Sequence, residues 1–91
     1  MAIIQIIVHG QVQGVGFRAT TKNIADQYQI KGWVKNTADG SVEIEAEGES
    51  QNLEEFISEI KKGPTPFAKV EAVNTEQLDA SKGHKSFKIV H

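Results

Sequence analysis

From Ser41 to Glu47 the chain alternates without a break: Val42, Ile44 and Ala46 fall on one side, Ser41, Glu43, Glu45 and Glu47 on the other. A period of two residues belongs to a β-strand, and one apolar face opposite one polar face belongs to an antiparallel sheet. Asp39-Gly40 stands just before it as a hairpin signal, and Trp33 to Thr37 reads as the partner strand. The acidic face of Ser41–Glu47 is expected to point to solvent.

Two segments carry a helical stripe instead. From Phe17 or Arg18 to Tyr28, apolar residues at positions 17, 24, 25 and 28 make one buried line. In the second, Leu53, Phe56, Ile57 and Ile60 fall at i, i+3, i+4 and i+7. Ser50 is the expected N-cap of that helix, Glu54 and Glu55 suit its positive end, Lys61 and Lys62 its negative end, and Gly63-Pro64 stops it. Ile3 to His9 reads as a strand apolar on both faces, and Lys69 to about Gln77 as another, with a bulge expected between Ala72 and Val73. Ser86 to Val90 can add a short final strand. The order β-α-β-β-α-β has too few helices to cover both faces of a sheet. It therefore implies an α+β chain, a ferredoxin-like α/β sandwich with both helices on one face of a mostly antiparallel sheet.

The 91 residues allow one domain, 1–91, with a radius of gyration of about 12 Å. With no cysteine there is no disulfide and no thiolate metal site, so the core holds the fold alone. No apolar run approaches the ~20 residues that span a membrane, and no secretory leader opens the chain. A cytoplasmic monomer with no membrane partner is the default expectation. Ten Lys or Arg against twelve Asp or Glu leave a net charge of -2, which argues against a general nucleic-acid binder. Recognition of RNA across the sheet would need aromatics on an open, basic face, and Glu43, Glu45 and Glu47 occupy that face instead. The six aromatic residues, Phe17, Tyr28, Trp33, Phe56, Phe67 and Phe87, read as core or partly buried packing.

The segment richest in chemistry is His9-Gly10-Gln11-Val12-Gln13-Gly14-Val15-Gly16-Phe17-Arg18. A glycine turn between a strand end and a helix start can aim several backbone N–H groups at one point, where the helix adds unpaired donors and partial positive charge. Arg18, the sole arginine, adds a planar fork matched to phosphate oxygens. Residue types alone leave two readings, an anion site or a tight turn beside a solvated arginine. Gly14-x-Gly16-x-x-Ala19 matches the dinucleotide fingerprint in letters, but the parallel crossover and acidic residue which that motif needs are missing. Asn36 shares a strand face with Gly32 and Val34, so its amide needs partners or a ligand. By spacing alone, it reads first as a residue fixing the Asp39-Gly40 turn.

Taken together, Gly10-Gln11-Val12-Gln13-Gly14-Val15-Gly16-Phe17-Arg18 and Gly32-Trp33-Val34-Lys35-Asn36-Thr37-Ala38-Asp39-Gly40 resemble the double signature of the acylphosphatases. The likeness runs on through Val42–Gly48, Leu53, Phe56, Gly63-Pro64, Ala68-Lys69-Val70, Phe87 and Ile89, with Gly63–Ala68 about one residue longer than usual. The resemblance implies hydrolysis of the carboxyl–phosphate anhydride of a small acyl phosphate to a carboxylate and inorganic phosphate. It implies that Arg18 and the backbone N–H groups of Gly14, Val15, Gly16, Phe17 and Arg18 bind the phosphoryl group, and that Asn36 holds the attacking water. No cofactor, metal or phospho-enzyme is expected. His9, His84 and His91 lack ligand spacing, Asp26 reads as a helix-surface charge and Asp39 as a turn former. The alternative is a non-catalytic anion-binding or protein-interaction domain on the same fold.

Overall fold

A computed structural model describes residues 1–79 and 81–90. Its strands are β1 (Ala2–Gln11), β2 (Lys31–Asn36), β3 (Val42–Gly48), β4 (Lys69–Gln77) and β5 (Phe87–Ile89); its helices are α1 (Phe17–Gln27) and α2 (Ser50–Lys61). The sheet order is β4-β1-β3-β2-β5. All neighbours are antiparallel except β2 and β5, which run parallel. Two split β-α-β units interleave, β1 and β2 flanking β3 while β3 and β4 flank β1, as the ferredoxin-like reading requires. The radius of gyration is 11.7 Å.

Both helices lie on one face. The core between them and the sheet holds Ile6 and Val8 from β1, Val34 from β2, Val42, Ile44 and Ala46 from β3, and Phe87 from β5. The helices contribute Phe17 and Ala25, then Leu53, Phe56 and Ile60. Phe56 meets Phe87 edge to face, with centroids 6.1 Å apart, the geometry ring quadrupoles favour.

Three local expectations are corrected. The N-cap of α2 is Glu49, with no side-chain bond to the helix start; Ser50 is the first helical residue, and no acid falls in the first turn. The break in β4 lies one residue earlier than its apolar pattern suggests. His9 faces Ala72 and Gly10 faces Val70, so Glu71 is the extra residue. Gly10 sits opposite with φ 130°, and a Cβ there would run into the Lys69 carbonyl oxygen. Phe67 is no packing residue but 76% exposed.

The largest correction concerns the outer face of β3. Glu45 and Glu47 are 5% and 0% exposed rather than facing solvent. The reason is topological. β4 and β5 lie at opposite edges, roughly 19 Å apart at the usual strand spacing. The helices block one face, so the connection crosses the other, and residues 78–86 can reach about 30 Å when extended. Glu47 accepts hydrogen bonds from the Ser81 hydroxyl and from the backbone N–H groups of Gly83 and His84. Glu45 pairs with Lys82 at 3.0 Å and with His84 at 2.5 Å. Burial alone would raise the Glu45 pKa, but the hydrogen bonds from His84 and Lys82 outweigh it and hold the carboxyl below its ordinary range.

Candidate functional site

The turn between β1 and α1 needs a backbone that ordinary residues resist. Gly14 and Gly16 take φ values of 74° and 76°, left-handed conformations that glycine adopts without steric cost. Gly16 is the N-cap of α1 and supplies no side-chain cap, and no acid lies in the first helical turn. The first N–H groups of α1 therefore keep their donor capacity and the positive end of the helix dipole stays uncompensated. Phe17, 1% exposed, anchors this helix start in the core and fixes where those donors point.

Beside this turn lies a cavity of about 160 Å³ lined by Val12, Gly14, Gly16, Phe17, Arg18, Ala19, Asn36 and Ile89. By volume it holds roughly five waters, about half the lower bound for a site that encloses a drug-sized ligand. Arg18 lines it with no carboxylate partner among the described residues. Asn36 is the last residue of β2, and its Oδ1 is buried with no hydrogen-bond partner from the protein. Asn36 takes no part in the Asp39-Gly40 turn. That turn is fixed by Asp39 Oδ1, which accepts from the Thr37 hydroxyl at 2.5 Å, the Ser41 hydroxyl at 2.6 Å and the Ser41 N–H at 3.0 Å. Those donors, led by the Ser41 hydroxyl, hold the Asp39 carboxyl far below its ordinary range.

The structure thus brings Gly14, Gly16, Phe17, Arg18 and Asn36 to one cavity, while the Val15 side chain packs against the core. Sequence reasoning missed two supports. Gln13 donates from Nε2 to the carbonyls of Thr37 and Ser41, each at 2.8 Å, and so ties the glycine turn to the hairpin that carries Asn36. An amide side chain inside a glycine turn was the available signal. Ile89 of β5 supplies an apolar wall and is visible only once β5 is known to lie beside β2. His9 stands on the face of β1 opposite the core residue Val8, away from α1, and His91 lies outside the described residues. Among the described residues no group of three or more His, Asp or Glu is placed to hold a metal ion. No helix among them is long and apolar enough to cross a membrane.

The protein is a ferredoxin-like α+β sandwich that brings an unpaired arginine and an uncapped helix start to one small cavity. The acylphosphatase family model matches residues 4–89. An acylphosphatase of Oceanobacillus iheyensis is 50% identical over 78 residues, covering 86% of each chain. One from Listeria monocytogenes is 51% identical over 84 residues, covering 92% of this chain and 90% of its own. The crystal structure of acylphosphatase from Bacillus subtilis superposes with a TM-score of 0.96 at 44% identity over the whole of both chains. The chain belongs to the acylphosphatase family. It is a hydrolase acting on an acid anhydride, the carboxyl–phosphate bond of small acyl phosphates.

Proposed function

We propose that Arg18 and the N–H groups of Gly14, Val15, Gly16, Phe17 and Arg18 hold the phosphoryl group, and that Asn36 Oδ1 accepts a hydrogen bond from the attacking water. The observation that carries this reading is the meeting of an unpaired Arg18 and an unpartnered, buried Asn36 Oδ1 on one cavity at the start of α1. The water oxygen bonds to phosphorus as the bond from phosphorus to the acyl oxygen breaks, and that oxygen leaves with the electron pair as a carboxylate. A phosphate oxygen takes the water's proton. The leaving group is already good, so the site supplies position and charge stabilisation rather than a strong acid. The reaction runs without metal, cofactor or phospho-enzyme. The cavity is too small to enclose a large acyl group, so that group stays outside it. One chain supplies every residue named, which suits action as a single-domain monomer over residues 1–91, with the cytoplasm as its default compartment.

The test is Arg18→Lys beside Arg18→Ala, assayed with benzoyl phosphate. Lysine keeps the charge but loses the two-point fork. Both variants should lose ~10²–10³ in rate, the cost of a preorganised donor. Near-wild-type activity in Arg18→Lys would end the assigned role.

A further inference from the structure

The turn after α2 reaches the glycine turn through one hydrogen bond. Thr65 Oγ1 donates to the Val15 carbonyl at 3.2 Å, across fifty residues of sequence. The same oxygen accepts from the Ala68 N–H at 3.0 Å. The Ala68 N–H is shared with the Thr65 carbonyl at 3.2 Å, and the hydroxyl proton goes to Val15. Thr65 lies between two prolines, Pro64-Thr65-Pro66, which narrow the backbone conformations open to it. A proline fixes its own φ and restricts the residue before it to extended backbone.

The Val15 carbonyl and the Gly16 N–H belong to one peptide plane and point in opposite directions. Whatever fixes the carbonyl therefore fixes the donor. The plane needs fixing, because Gly16 has no Cβ to oppose its rotation and sits at φ 76°, with Gly14 at φ 74° two residues earlier. Turned over, the peptide would present a carbonyl oxygen to the cavity in place of an N–H. Donation to the carbonyl also polarises the amide and strengthens its N–H as a donor.

We propose that Thr65 is a positioning residue for the phosphate turn, its hydroxyl holding the Val15–Gly16 peptide so that the Gly16 N–H faces the anion. This rests on the reading that the glycine-turn amides bind the phosphoryl group. It assigns a task to the Gly63–Ala68 turn that follows α2.

The experiment compares Thr65→Val, which keeps the shape and removes the hydroxyl, with Thr65→Ser, which keeps the hydroxyl. Benzoyl phosphate gives kcat and KM, and inorganic phosphate gives a competitive inhibition constant. The expected result in Thr65→Val is a rise of about 3- to 10-fold in both KM and the phosphate constant, the range of one net hydrogen bond, with kcat within twofold. Thr65→Ser should restore both constants to within twofold. The Gly16 amide resonance should shift less on phosphate addition in Thr65→Val than in the wild type. If Thr65→Val is poorly folded, Thr65→Ala is read by the same measurements. A folded hydroxyl-free variant with unchanged KM and phosphate constant would overturn the proposal, even if its Tm falls. Arg18→Ala is run alongside. If it is inactive while Thr65→Val is normal, only the Thr65 role fails; if it is fully active, the binding reading fails and takes this proposal with it.

Discussion

Replacing Asn36 with alanine should separate activity from stability. Asn36 Oδ1 is buried without a protein partner. That atom lines the cavity, where water serves it in the free protein, so alanine breaks no hydrogen bond within the protein. Stability should change by no more than about 1 kcal/mol, which in a domain of this size corresponds to ~4–8 °C in Tm. The effect on the reaction is larger. A preorganised group that acts on the transition state typically contributes about 3–4 kcal/mol, or ~10²–10³ in kcat. Inorganic phosphate, held by Arg18 and the turn amides, should inhibit the variant about as well as the wild type. The assay pairs benzoyl phosphate hydrolysis, with phosphate as inhibitor, and a thermal melt of the same preparation. A Tm lowered by more than ~8 °C would mark Asn36 as a structural residue. Phosphate inhibition weakened as much as kcat falls would make it a binding residue, and an unchanged kcat would remove it from the reaction.

Two further outcomes are expected. Catalysis should be nearly flat between pH 5 and about 7 and should survive EDTA, since a guanidinium, backbone amides and a neutral side-chain amide do not titrate there. A limb in kcat that disappears in His9→Gln would show an imidazole at work, and activity lost in EDTA and restored by magnesium or zinc would reject the metal-free mechanism. Glu45→Gln should destabilise the fold at pH 7 by about 2 kcal/mol, the scale of hydrogen bonds to a buried charged group. The folded pKa of Glu45 lies below the ordinary 4.5, so this contribution is complete above pH 4.5 and is lost as pH falls through the folded value. Urea melts of the two proteins should therefore converge as the pH is lowered toward 3; a constant difference would show that charge is not what Glu45 contributes.

The fold was legible where local rules and global packing agree. The alternation from Val42 to Ala46 and the stripe Leu53, Phe56, Ile60 each name a face, and the sandwich is the arrangement that buries both. The glycine turn was legible because left-handed backbone requires glycine at 14 and 16. Asn36 was ambiguous from spacing because a turn and a ligand both satisfy a polar amide; only its unpartnered Oδ1 separates them. The outer face was misread for a different reason. A strand with Glu43, Glu45 and Glu47 on one side looks solvated by every local criterion, and what covers it comes from residues more than thirty positions away. The small and basic character of Ser81-Lys82-Gly83-His84 suits buried carboxylates, but nothing local says that it crosses the sheet. Arg18 carried its own signal as the sole arginine, whereas Gln13 and Ile89 owe their place in the site to tertiary contacts.

The extra residue in β4 also governs how the molecule meets its own copies. β4 closes one side of the sheet, with an outward backbone edge that no strand among the described residues covers. An uncovered edge of nine residues is a template on which a second chain can pair, the route to edge-to-edge aggregation. Glu71 interrupts that template. The edge changes register at the bulge, so a straight incoming strand can follow it on one side of Glu71 or the other but not through it. Exposed Lys69, Glu71 and Glu76 add charges that a hydrophobic newcomer would have to desolvate. At the opposite margin β5 is only three residues long and offers too little ladder to recruit a partner. Both borders of the sheet are thus poor seeds for fibres, one because it is broken and the other because it is short.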